Sequence, residues 1–214
     1  MALNFTKYVI AETWDVNPQN VQVGPSLLGT EQVIATLADK WIASLKVRVS
    51  TVDVSALRAW RTARRGRLIT DQIGPERELA GSADGVTLGI TVLHSDSTAH
   101  DDGTGYTQGY TIAAAVALRA TTMTVEDPDG SGNFNAGRFF GVAERLYQIT
   151  SLNAPVGTDV NFNFWPPMRV ATAQDDGFDW PPRTDMRLAA DDTGMVEDNA
   201  EGIIDVTFDF VEVP

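Results

Sequence analysis

Cysteine is absent from the 214 residues, so disulfides and thiolate chemistry are both closed to this chain. Its stability has to come from packing, hydrogen bonding and association. Positive charge is scarce as well, with 16 Lys and Arg against 29 Asp and Glu and a net charge of −13. Such a balance argues against a general nucleic-acid surface, which needs clustered cations, and against docking on anionic membranes. No stretch approaches the roughly 18 uncharged apolar residues of a spanning helix. The opening MALNFTKYVIAETW lacks an apolar core followed by a small-residue cleavage site, so no signal peptide is expected. What is present is ordinary for a globular protein: 43% hydrophobic and 21% charged residues, enough for one large domain or two small ones.

The hydrophobic pattern is dominated by period 2. A short strand is expected within Thr6 to Trp14, broken by Asn17-Pro18-Gln19-Asn20. From Thr36 to Val49, Trp41, Ala43, Leu45, Val47 and Val49 alternate with polar neighbours, which predicts a long half-buried antiparallel strand. Ile204, Val206, Phe208 and Phe210 alternate against Asp205, Thr207 and Asp209 in a last strand over Ile203 to Val213. Between them lie β-rich stretches at Val86 to Leu93, Tyr110 to Ala117 and Thr121 to Val125, two short strands at Arg138 to Val142 and Arg145 to Thr150 joined by Ala143-Glu144, and Val160 to Trp165, where Val160, Phe162 and Phe164 alternate with Asn161 and Asn163. One helix is predicted, over about 52–65, with Val54, Leu57 and Trp60 at helical spacing and Gly66 at its stop. The fold class is therefore mainly β: an antiparallel β-sandwich core with one α-helix and a small inserted β-domain. The expected division is 1–78 with 179–214 for the core and 79–178 for the insert, since well-patterned strands at the two ends of a chain often share a sheet.

No nucleophile elbow, P-loop or metalloprotease helix occurs, so no catalytic residue, cofactor or metal is assigned. Asp127 to Asn133 opens like a calcium loop, but Arg138 stands where the bidentate Glu belongs. His94, Asp96, His100, Asp101 and Asp102 share a Gly/Ser-rich stretch with no familiar ligand spacing, and an exposed loop accounts for them. The sharper anomaly is basic. Arg58, Arg61, Arg64, Arg65 and Arg67 sit within ten positions of an acidic chain. They read either as a docking surface for an acidic partner, such as another copy of the chain, or as a helix face paired with local carboxylates. Trp165-Pro-Pro-Met-Arg169 and Trp180-Pro-Pro-Arg183 place an aromatic before a diproline, which predicts a stiff, polyproline-like exit from a strand. Trp165 and Trp180 then either face a partner or glycan or pack over a sheet edge.

The order Trp41…Leu45…Val47, Val54…Leu57…Trp60…Arg65-Gly66-Arg67, Gly137-Arg-Phe-Phe-Gly…Arg145-Leu-Tyr-Gln-Ile-Thr150, Phe164-Trp-Pro-Pro-Met-Arg169 and Met186-Arg-Leu-Ala-Ala-Asp191 resembles the distal tail and minor tail proteins of tailed phages. The resemblance spans about residues 36–213, with Gly81 to Tyr110 unmatched. It implies a virion protein at the tail tip, made in the host cytoplasm and assembled as a ring, commonly a hexamer. Its implied partners are other copies, the tail tube protein and the tail hub protein, with a host surface glycan possible and no nucleic acid or membrane. Within a ring, one surface must complement a different surface of the next copy. The rival expectation is a carbohydrate-binding module of a tail fibre or surface protein, with Trp165 and Trp180 as stacking aromatics; an unrecognised hydrolase is the weakest.

Overall fold

The computed structural model describes residues 9–19, 21–23, 32–34, 39–50, 53–75, 90–92, 106–108, 110–127, 134–157, 159–179, 182–195 and 203–213. The protein is mainly β, with two larger antiparallel sheets, one of them a half-barrel, and one α-helix. It divides into two compact units, Met1–Arg77 with Thr184–Pro214, and Glu78–Arg183. No helix among the described residues is long and apolar enough to cross a membrane.

The first unit is built on a five-stranded sheet. Strands β1 (Val9–Asn17) and β4 (Lys40–Ser50) precede helix α1 (Val54–Arg64), and β5 (Asp71–Ile73), β12 (Thr184–Leu188) and β13 (Ile203–Glu212) complete the order β1-β4-β13-β12-β5. A two-stranded ribbon of β2 (Val21–Val23) and β3 (Gln32–Ile34) belongs to the same stretch of chain. Strands β4 and β13, first and last of the long alternating segments, are direct neighbours. Their register sets Val49 opposite Ile204, Val47 opposite Val206, Leu45 opposite Phe208 and Ala43 opposite Phe210, so two apolar faces fuse into one. All eight side chains are buried. Trp60 of α1 meets Phe208 edge to face at 5.4 Å, and Leu57 and Val54 are buried beside it on the helix. Gly194, at φ +71, lies so close to the Phe208 ring that a Cβ would collide with it.

The Glu212 side chain is 1% exposed and accepts from Trp41 N–H at 3.0 Å and from the Thr184 hydroxyl at 3.4 Å. It joins β4, β12 and β13 at one end of the sheet.

The second unit is organised by a sheet of order β8-β11-β10-β9: β8 (Thr122–Val125), β9 (Phe139–Val142), β10 (Arg145–Leu152) and β11 (Val160–Trp165). A ribbon of β6 (Ile90–Val92) and β7 (Tyr106–Gln108) also falls in it. Strands β9 and β10 form the expected hairpin around Ala143 and Glu144, both at positive φ (50° and 60°) as a two-residue turn of primed type needs. The core is unusually aromatic. Phe140 is its centre, with ring centroids 5.0 Å from Phe178, 5.3 Å from Phe162, 5.5 Å from Tyr147 and 5.6 Å from Phe164. Gly141 closes the β9 edge against Asp179 through paired backbone hydrogen bonds of 3.0 and 2.8 Å.

Several expectations need correction. Tyr110 to Ala117 forms no continuous strand, only isolated bridges at Thr111, Ile112 and Val116, because these residues pair with the loop at 172–177 and with β8 rather than with one partner strand. The long strand is described from Lys40, the expected start at Thr36 lying outside the described residues, and β1 runs past Trp14 to Asn17. The Trp165–Pro166 bond is cis and a bend follows, unlike the polyproline-like exit expected from the diproline. Residues 86–89 and 93–105, with the His94 to Asp102 cluster, residues 128–133 of the calcium-like loop, and Trp180 lie outside the described residues.

Replacing Phe140 with Ala removes the ring that four others touch. It is expected to cost about 3–5 kcal/mol, read as a loss of urea resistance of the whole chain with the near-ultraviolet aromatic signal collapsing.

Candidate functional site

The basic cluster is carried by α1 and the single 3-10 turn Gly66–Leu68 that follows it. The helix stops because Arg65 and Gly66 both take left-handed backbone (φ 50° and 65°), so the expected stop at Gly66 is shared with its neighbour. The five arginines then separate into two groups. Arg61 is half-buried and donates to the backbone carbonyls of Thr193 and Asp191, each at 3.0 Å. Arg64 is half-buried, forms a bidentate pair with Asp71 and lies 5.1 Å over the Trp60 ring. These two hold β5 and the turn before β13 against the helix.

Arg58, Arg65 and Arg67 are exposed. Arg67 reaches Asp191 through its backbone N–H at 3.1 Å and its guanidinium at 3.5 Å, a solvent-facing pair of little energetic weight. Leu68 is 78% exposed and Ile69 39%, directly beside these cations. The half-buried Arg61 and Arg64 pair locally, while the exposed Arg65 and Arg67 lie in the chain next to Leu68 and Ile69. Leu68 and Ile69 carried no sequence signal, because nothing in a helix-stop segment says which apolar residues stay outside.

Burial pushes the Asp71 carboxyl above its usual value, and the hydrogen bonds and charge of Arg64 pull it back down only in part. Asp205, on the outer face of β13, behaves oppositely. Arg48 grips it through Nε at 2.7 Å and a second nitrogen at 2.9 Å, and Lys46 Nζ lies at 3.2 Å. The Arg48 hydrogen bonds, with help from Lys46, hold its carboxyl far below the ordinary carboxylate range. The same outer face carries a hollow of about 350 Å³ lined by Thr13, Asp15, Ile42, Ser44, Ala189 and Asp209.

In the second unit Trp165 is 38% exposed at the end of β11, while Pro166, Pro167 and Met168 after it are buried. The Tyr147 hydroxyl accepts from Arg169 N–H at 3.2 Å. The Gly137–Gly141, Arg145–Thr150 and Phe164–Arg169 segments thus meet around one core, and Trp165 is the member that faces out. Asp179 in the same unit has its carboxyl pushed up by burial and then by the Glu144 charge. Among the described residues no group of three or more His, Asp or Glu is placed to hold a metal ion.

The fold and these surfaces define a mainly β protein with two sheet-based units. Compared with protein-family models and with curated protein sequences, the chain matches none.

Arg64→Ala is expected to lower stability by about 1–2 kcal/mol, because it strands the Asp71 carboxylate. Arg65→Gly should be neutral or stabilising by up to about 1 kcal/mol; urea titration separates the two. For Asp205 the folded-state carboxyl lies below its unfolded value, so its contribution is complete above about pH 4 and is lost as pH falls below that. The melting-temperature gap between wild type and Asp205→Asn should accordingly shrink below that pH, and in 1 M salt at neutral pH.

Proposed function

We propose that this protein is a structural virion subunit of distal-tail type, one copy in a ring that joins the tail tube protein to the hub protein at a phage tail tip. On the resemblance the ring is a hexamer. The observation that carries the assembly reading is the turn after α1, where exposed Leu68 and Ile69 are flanked by exposed Arg65 and Arg67 in a chain of net charge −13. An apolar patch with a cationic rim is best covered by an apolar patch with an anionic rim, and every other copy carries a large excess of acid. Such a contact joins two different surfaces, the kind that generates a ring when its rotation closes. The sequence resemblance supplies the tail-tip setting, and the two-unit, mainly β organisation agrees with what that resemblance implies.

A second reading, a carbohydrate-binding module, is favoured by one observation: Trp165 stands half-open at the end of β11, on the face opposite buried Phe162 and Phe164. Light scattering on the full chain tests the first. A defined multiple of the chain mass is expected, falling to the single chain in the double variant Arg65→Glu/Leu68→Glu with its melting temperature kept. Wild type that stays a single chain at every concentration removes the assembly reading.

A further inference from the structure

Around Asn163 the outer face of β8-β11-β10 holds neutral side chains only, in a chain of net charge −13. Asn161, Asn163 and Trp165 alternate with Phe162 and Phe164, so period 2 turns all three outward while both phenylalanines are buried. Each step of two residues advances about 7 Å along the strand. The register sets Thr124 beside Asn161, Thr122 and Ser151 on either side of Asn163, and Gln148 beside Trp165.

These amides and hydroxyls lock one another. Asn163 Nδ2 donates to Ser151 Oγ at 2.9 Å and to Asn153 Oδ1 at 3.1 Å, while its Oδ1 accepts from Thr122 Oγ1 at 2.8 Å and Asn153 Nδ2 at 3.2 Å. Asn153 Nδ2 also donates to Asn161 Oδ1 at 2.8 Å, and Asn161 Nδ2 donates to Thr124 Oγ1 at 3.2 Å. Asn163 is saturated. The Ser151 and Thr124 hydroxyls act only as acceptors within the lattice, so each keeps its O–H to donate outward, and Asn153 Oδ1 keeps an acceptor site.

We infer that this face binds a neutral, hydroxyl-rich polysaccharide, with one sugar ring laid on the Trp165 indole and the hydroxyls of its neighbours on the Asn/Thr/Ser lattice. The C–H face of a pyranose is apolar and suits the negative face of an indole. Its hydroxyls are both donors and acceptors, as are the groups held ready here, and the lattice has already taken up the cost of ordering them. An ionic ligand has no counter-charge on the lattice. A protein partner would want an apolar centre, which Asn, Thr and Ser do not provide. The inference deepens the carbohydrate reading and is independent of assembly, since none of its residues lies in the α1 turn.

The test is calorimetric titration of the full chain with cellohexaose, maltohexaose and chitohexaose, and with polygalacturonate as the anionic comparison. At least one neutral hexasaccharide is expected to bind and to change the tryptophan fluorescence. Trp165→Ala should weaken it by about tenfold or more, and Trp165→Phe much less. Ser151→Ala with Thr124→Val, which leaves the aromatic intact, should weaken it severalfold at unchanged melting temperature. Absence of binding to every neutral probe overturns the inference. So does binding indifferent to both variants, or a preference for polygalacturonate. Ring mass is read separately by light scattering, so either proposal can fail alone.

Discussion

The pairing of β4 with β13 is the constraint on which the first unit depends. Each strand presents apolar side chains on one side only, and neither can bury them alone. Setting them side by side gives a continuous apolar surface from Val49 and Ile204 to Ala43 and Phe210. Against that surface α1 lays Trp60, with Leu57 buried beside it on the helix. The Glu212 carboxylate, reaching the Trp41 amide 171 residues away in sequence, marks how non-local this contact is. A one-residue slip would turn Phe208 and Phe210 into water and bring Asp205 and Asp209 inside, so the register is strongly specified.

The arginines show how one residue type divides by burial. Arg61 and Arg64 sit where the helix meets the rest of its unit, and their planar, multi-donor heads satisfy carbonyls and a carboxylate that would otherwise lack partners. Arg65 and Arg67 follow directly at the helix stop and stay exposed. The same residue type therefore holds the C-terminal end of the helix where it is half-buried and stays in solvent where it is not.

The second unit uses its sheet differently. Its inner side gathers Phe134, Phe140, Tyr147, Phe162, Phe164 and Phe178 into a cluster where edge-to-face and stacked rings coexist. Its outer side is a lattice of amides and hydroxyls ending at Trp165. A rigid core under a polar face is what lets neutral side chains keep fixed orientations in contact with water, and fixed orientation is what a weak, multi-contact ligand such as a sugar chain requires.

Alternation along β4, β11 and β13, the helical spacing of Val54, Leu57 and Trp60, and the hairpin around Ala143-Glu144 were legible in the sequence, because side-chain periodicity is imposed by the local backbone. Trp165 was legible as an aromatic before a diproline, either facing a partner or glycan or packing over a sheet edge; its exposure beside Asn161 and Asn163 was decided by the fold. Strands β5 and β12 were not read as strands, being three and five residues long and held by partners distant in sequence. Tyr110 to Ala117 misled for the same reason in reverse, since its β-forming residues found no single strand to pair with. Which arginines would be internal, and that Thr122, Ser151 and Asn153 would close around Asn163, depended on registers between separate strands and on the helix position. Periodicity says which way a side chain points; only the folded chain decides what it meets there.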